Sequence, residues 1–165
     1  MADDPVHGPI DLIDFTVGAM GAMLRSGLAI RREVREIEYS RRGAQRMDKI
    51  NLAEKLARIT EYWQPKVVGE LNGQQVKLVK FQGEFVWHSH AQEDELFLVL
   101  SGHFRMELRD GGVDLGPGEF LIIPRGVEHR PVTDEEVAVL LFEPAGTLNT
   151  GNVRNERTVE RIDWL

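Results

Sequence analysis

Along residues 50–63 the apolar side chains recur at helical spacing: Leu52, Leu56, Ile59 and Trp63. Asn51 followed by Glu54 is spaced as a helix N-cap and its partner three residues on. Pro65 closes the element, because a proline keeps the residue before it out of the helical conformation. The pattern predicts a helix over about 50–63, laid against the main domain. From Val67 the period changes to two. Strand-like runs follow at Val67–Leu71, Gln75–Phe81, Phe85–His90, Glu95–Leu100, Phe104–Arg109, Val113–Leu115, Phe120–Ile123, Val127–Val132 and Val137–Phe142. Turn signals separate them, among them Asn72-Gly73, Ser101-Gly102, Asp110-Gly111-Gly112 and Pro124-Arg125-Gly126. Nine short strands with tight turns and no helix between them indicate an all-β antiparallel sandwich or barrel over about 67–144. The tail, 145–165, is polar and turn-rich and reads as an ordered loop or edge cover. It ends in an apolar patch, Ile162-Asp163-Trp164-Leu165.

Residues 1–46 carry a weaker pattern. Ile30, Val34 and Ile37 fall on one helical face, with Arg31, Arg32, Arg35, Arg41 and Arg42 crowded around it. One reading is a solvated surface helix; a second is an arm for oligomerisation or an anionic partner. A third takes 1–46 as an extension from an upstream start codon, since Met47 opens a segment, 47–165, that reads as a complete small domain. Ile10 to Leu28 is fairly apolar, but Asp11, Asp14 and Arg25 interrupt it, so no membrane span is expected. His7 lies in this extension without a legible role.

The 165 residues suit one domain with an appended segment. Residues 1–46 hold as many acids as bases, so the net charge of −7 falls on the remainder. An acidic domain argues against a nucleic-acid partner, whose phosphates call for Lys and Arg. There is no cysteine. That excludes disulfides, thiolate nucleophiles and iron–sulfur clusters, and it fits a cytoplasmic location. The opening, Met1-Ala2-Asp3-Asp4, is acidic where a secretion signal is positive.

Three of the five histidines stand in two phased motifs. The first runs from Gly83 through His88-Ser89-His90 to Glu95, then six residues to Gly102; the second runs from Gly118 over five residues to Pro124-Arg125-Gly126-Val127-Glu128-His129. His88 and His90, two apart on a strand, point to one face. Glu95 opens the next strand of the hairpin, sharing its face with Phe97 and Val99, and His129 arrives after the Pro-x-Gly turn. Three imidazoles and a carboxylate make a mixed nitrogen and oxygen site for one divalent transition metal. Glu93 and Asp94 compete with Glu95 for the carboxylate position, and the spacing to Gly102 favours Glu95. His103 reads as a surface residue.

These two motifs resemble those of the cupin superfamily: glycine, His-x-His, three or four residues, Glu, six residues, Gly; then Gly, five residues, Pro-x-Gly-x2-His, three residues, Asn. The resemblance covers Gly83 to about Thr133 and implies a double-stranded β-helix, or jelly-roll barrel, with His88, His90, Glu95 and His129 as metal ligands. Gly83 stands one residue nearer His88 than the family pattern has it, and Thr133 stands in place of the final Asn. Met47 to the tail is further similar to small single-domain cupins labelled mannose-6-phosphate isomerase-like, a label that reflects fold kinship. The resemblance also implies a homodimer through sheet edges.

Four protein ligands leave one or two coordination positions for water or substrate. Such an ion polarises a carbonyl, lowers the pKa of bound water or, as iron, activates dioxygen. Iron, manganese, nickel, zinc and copper all accept this ligand set. Phe85, Phe97 and Met106 are candidates for lining a cavity, and Arg125 and Arg130 for holding a substrate anion; core packing and surface solvation are the competing roles. No nucleophile–base triad, phosphate-cradling glycine loop or paired acid–base carboxylates is recognisable. Two functional classes follow: a metal-dependent enzyme acting on a carbonyl-bearing metabolite or sugar acid, as isomerase, lyase or dioxygenase; or a non-catalytic module that binds or senses a small ligand. Of the three readings of 1–46, the third expects no peptide before Met47 in mass spectra of natively expressed protein; such a peptide removes it.

Overall fold

The structure is a computed structural model that describes residues 48–165. The expected N-terminal helical extension, its arginine-flanked face, His7 and the Ile10 to Leu28 stretch lie outside the described residues. One short helix, α1 (Leu52–Leu56), precedes seven strands: β1 (Lys66–Leu71), β2 (Gln74–Glu84), β3 (Glu95–Ser101), β4 (Phe104–Leu108), β5 (Gly111–Leu115), β6 (Phe120–Ile123) and β7 (His129–Pro144). Every strand pair is antiparallel. The sheet order is β1-β2-β7-β3-β6, with β4 joined to β5 and β7. The long β7 is the spine. Residues 132–144 pair with β2, 138–142 also pair with β3, and 129–132 pair with β4. The fold is the antiparallel barrel that the period-two pattern predicts. Among the described residues, no helix is long and apolar enough to cross a membrane.

Alternation decides which side chains fill the barrel. Val79 and Phe81, Phe97 and Val99, Phe104 and Met106, and Val137, Val139 and Leu141 form one buried cluster. Several intervening residues of β2 and β7, Val76, Leu78, Ala138, Leu140 and Phe142, are apolar as well. Leu78 joins Val68 and Ile59 in a second cluster, packed by Leu52, Leu56, Leu140 and Leu165. Helix α1 and the chain's last residue thus cover the outer face of a sheet whose inner face is the barrel core. Each such side chain contributes roughly 1.5–3 kcal/mol on full burial.

The helix is far shorter than the spacing predicts. Asn51 caps it, its side chain accepting from the Ala53 and Glu54 amides. The chain leaves the helical path well before Pro65, and Trp63 adopts a left-handed backbone, φ 61°. The Trp63 amide bonds instead to the Lys80 carbonyl at 2.9 Å. Ile59 and Trp63 therefore do not share a face: Ile59 packs on the outer cluster and Trp63 enters the barrel core.

Seven strands stand where nine are expected. Residues 85–90 form no ladder; they touch β7 through the His88–His129 bridge and the Phe85 amide, which donates to the Pro131 carbonyl at 3.0 Å. The runs at 127–132 and 137–142 merge within β7. Their polar interruption, Asp134 to Glu136, is an outward bulge, seen as a register shift opposite Phe81 and Gly83. Thr133, in place of the family's Asn, ties the bulge down. Its hydroxyl accepts from the Glu135 amide and lies 2.9 Å from the carbonyls of His103 and Glu135.

The inward phase of β2 and β7 also buries two ionisable side chains against each other. Lys77 Nζ donates to Glu143 Oε1 at 2.7 Å, with the side chains 0% and 2% exposed. Burial and the nearby Glu95 carboxylate push the Glu143 carboxyl up to about 8, against the pull of Lys77. Removing one partner of such a pair costs about 3–5 kcal/mol, whereas exchanging both for apolar residues is often neutral or better. Chemical denaturation is expected to show Lys77→Met destabilised by about that amount and the double variant with Glu143→Leu largely restored; equal losses in both would refute this account of the pair.

Candidate metal centre

The segment from Phe85 to Asp94 carries two of the candidate ligands, and neighbouring elements hold its backbone. The His88 amide donates to the His129 carbonyl at 3.1 Å, and the His129 amide donates to the His88 carbonyl at 2.9 Å. The Gly126 amide, in the Pro-Arg-Gly turn, donates to the His90 carbonyl at 2.7 Å. From the tail, Asn152 grips Ser89 twice: its side-chain oxygen accepts from the Ser89 amide at 2.9 Å, and its amide donates to the Ser89 carbonyl at 3.0 Å. Gly151 beside it has φ 52°, and a Cβ there would fall 2.3 Å from the Ser89 oxygen. Only glycine permits that approach. Glu95 and His129 need no such support, since each is the first residue of its strand.

These constraints bring His88, His90, Glu95 and His129 together, all buried, with one ligand atom of each within 4.8 Å of the others. Glu95 Oε2 is 3.3 Å from His90 Nε2 and 3.6 Å from His129 Nε2. His88 Nδ1 and His129 Nδ1 each lie 3.0 Å from the carbonyl two residues back, Val86 and Val127. A protonated Nδ1 there donates to the carbonyl and leaves Nε2 as the lone-pair donor, the arrangement metal-ligating histidines commonly show. His90 Nε2, Glu95 Oε2 and His129 Nε2 are buried and have no hydrogen-bond partner. Buried polar atoms are rarely left so. A cation at their point of convergence would satisfy all three, so the residues fit a metal ion.

The local electrostatics suit a cation. Burial, reinforced by His129, lowers the His88 pKa to about 4 and keeps its ring neutral. Burial opposes ionisation of Glu95, but His129 and His90 outweigh it and lower its pKa to about 2. Burial likewise disfavours a charged His90, yet Glu95 raises its pKa on balance. The carboxylate is charged and one imidazole competes for a proton that a metal would displace.

Beside the cluster is a small cleft of about 30 Å3 that opens outward. Phe85 and Phe97 line it with His88 and Glu95. Met106 is fully buried in the core and is not part of the wall. Arg125 is held by Asp94 at 3.1 Å, and Arg130 by Glu107 at 2.6 Å and Glu84 at 2.8 Å. Arg109 and Arg130 also lie over the ring of Trp87, 3.9 and 5.1 Å from its centroid. Glu93 accepts from the Gln92 amide, and His103 is exposed beside Glu135. The wall residues Trp63, Leu141 and Asn149, and the clamp of Gly151 and Asn152, are absent from the expected site. The phase of β7 could have indicated Leu141. Nothing local marks the others, which reach the site through long-range packing.

A barrel with three imidazoles and a carboxylate gathered beside a cleft is the architecture of a metal-binding β-barrel protein. The cupin domain family model matches residues 76–143. A cupin-2 domain containing protein of Shewanella frigidimarina is 44% identical over 58% of this chain and 93% of its own, with a TM-score of 0.57. Protein NMB1881 of Neisseria meningitidis is 33% identical over 59% of this chain and all of its own, with a TM-score of 0.55. The protein YdbB of Bacillus subtilis is 39% identical over 64 residues, and the match spans 57% of that relative's length. The chain belongs to the cupin superfamily, and its buried cluster suits a metal ion.

The Asn152 clamp acts on the ligand segment from outside it, as residues that orient ligands do, and losing such a contact typically costs 10–100-fold in metal affinity. Asn152→Ala and Gly151→Ala are each expected to weaken metal binding within that range in competition titrations. Affinity at the wild-type level in both would show that the tail is dispensable to the site.

Proposed function

We propose that this cupin is a metal-dependent enzyme acting on a small carbonyl-bearing metabolite, by isomerisation, elimination or dioxygenation. The observation that carries the reading is the position of the cluster: two of its four buried ligands, His88 and Glu95, line a cleft instead of being sealed in the core. A structural ion is usually enclosed by four tetrahedral ligands, often thiolates. Here a substrate entering the cleft meets His88 and Glu95 directly.

An ion held by His88, His90, Glu95 and His129 would supply Lewis acidity, a bound water of lowered pKa or, as iron, a site for oxygen chemistry. The chain's own residues supply the rest. The Val86 and Val127 carbonyls fix the planes of two imidazoles. The apolar wall excludes water and strengthens electrostatic attraction at the ligand end. Glu95 provides one negative charge against a divalent cation, leaving net positive charge to draw an oxygen donor. The coordination environment alone accepts iron, manganese, nickel, zinc or copper.

The same reading includes a cytoplasmic homodimer. Edge strand β6 pairs only with β3 and exposes Phe120 and Ile122 on one face, 60% and 51% accessible. A second copy is the natural cover for such an edge.

His88→Ala and His129→Ala are each expected to abolish stoichiometric metal by elemental analysis while circular dichroism retains the β signature; full occupancy in both would refute the ligand assignment. Elemental analysis of wild-type protein purified without chelator identifies the ion, iron pointing to oxygen chemistry and zinc, manganese or nickel to isomerisation or elimination. A metal-replete protein that binds metabolites but never turns them over would replace the enzyme with a binding module. Light scattering should give a dimer mass that Phe120→Lys lowers; a wild-type monomer removes the dimer.

A further inference from the structure

The cleft's wall is built from Trp63, Phe81, Phe85, Phe97 and Leu141, with polar groups only at His88, Glu95 and Asn149. The polar atoms that are not ligands are already engaged. The Asn149 amide nitrogen donates to the Arg157 carbonyl at 2.9 Å, and its oxygen accepts from the Val159 amide at 2.8 Å. The indole nitrogen of Trp63 donates to the Gln82 carbonyl at 2.9 Å. Apart from the candidate ligands, the wall offers a guest little beyond one remaining amide hydrogen. A polyhydroxylated guest would give up water from each hydroxyl without regaining partners, which costs affinity for every group buried.

Trp63 adds an independent observation. A bulky aromatic residue rarely adopts a left-handed backbone, and such outliers persist where the surroundings hold them. Here the backbone at φ 61° is held by the Lys80 carbonyl, and the ring stacks on Phe81 at 4.6 Å and Phe85 at 4.8 Å between centroids. Packing alone does not need this residue to come from a strained turn. The turn places the indole, packed between Phe81 and Phe85, in the wall of the same cleft that His88 and Glu95 border, where it sets the shape of the wall.

We propose that the cleft takes a small, flat, largely apolar molecule, an aryl or short-alkyl body bearing one anionic oxygen donor, and that Trp63 determines this specificity. Of the two substrate classes the sequence leaves open, this selects the apolar carbonyl compound over the sugar acid. The inference rests on the metal reading of the four-residue cluster. The oxygen donor addresses the ion while the body lies among the apolar side chains of the wall, whose shape Trp63 sets and where burial of apolar area stabilises it.

The test compares benzoate and gluconate, which share a carboxylate and differ in body, by calorimetric titration of protein whose metal content is measured on the same sample. Benzoate is expected to bind metal-loaded protein at least tenfold more tightly than gluconate. Trp63→Leu should weaken benzoate about tenfold and leave gluconate and metal content unchanged, and Phe85→Leu should shift benzoate in the same direction if the first variant folds poorly. Metal-loaded protein that binds gluconate as tightly as benzoate, that binds no benzoate, or whose preference survives both substitutions overturns the ligand class. Wild-type protein that takes up no metal overturns the metal reading instead.

Discussion

Two hydrogen bonds between His88 and His129 join the halves of this molecule's chemistry. Residues 85–90 belong to no ladder, and the reciprocal backbone contact with the first residue of β7 holds the His-x-His segment on the barrel together with bonds from Phe85 to Pro131, Gly126 to His90 and Asn152 to Ser89. The remaining ligands inherit their positions from sheet register: β3 begins at Glu95 and β7 at His129, and both strands pair along the same spine. Were the register of β3 to slip by one residue, Glu95 would leave the interior and Leu96 would replace it. The ligand set is therefore a consequence of strand pairing, with irregular backbone tolerated only where several contacts hold it.

The interior that results is electrostatically demanding. Glu95, Glu143, Lys77 and three histidines are all buried within one small barrel. Lys77 answers one oxygen of Glu143, and the other has no partner. The free Glu95 oxygen and the two Nε2 atoms converge, and a cation is the species that satisfies them together. Native proteins seldom leave such groups uncompensated in a low-dielectric setting, so the cluster is most economically understood as half of an interaction whose other half is an ion.

Much of this was legible in the sequence because the relevant signals are local. The period-two pattern, the turn glycines and the spacing of His88, His90, Glu95 and Gly102 are set by strand geometry and by positive φ, and both leave marks on neighbouring residues. What was illegible is long-range. The bulge at Asp134 to Glu136 looks like a turn until β2 is seen to pair across it. Trp63 falls in phase with a helix, but its amide finds the Lys80 carbonyl and the helix ends early. The burial of Lys77 and Glu143 follows from phase, yet the polarity of each argued against the interior. Phe85 and Phe97 reach the cleft, whereas Arg125 and Arg130 are committed to surface carboxylates.

The positions outside the family match divide the labour of the site. All four candidate ligands fall within residues 76–143, together with Phe81, Phe85 and Phe97. Trp63 precedes that region, and Asn149, Gly151 and Asn152 follow it. The common core thus provides the candidate ligands and most of the wall, and the two flanking segments add Trp63 and Asn149 to the wall and supply the clamp. Their contributions are physically separable. The hydrogen bonds of Trp63 go to the Lys80 and Gln82 carbonyls and not to the cluster, so the wall and the candidate ligands are held by separate contacts. Asn152 bonds only to Ser89, so its replacement loosens a ligand segment without altering the wall. In a barrel organised in this way the flanks can vary while strand register preserves the cluster of candidate ligands.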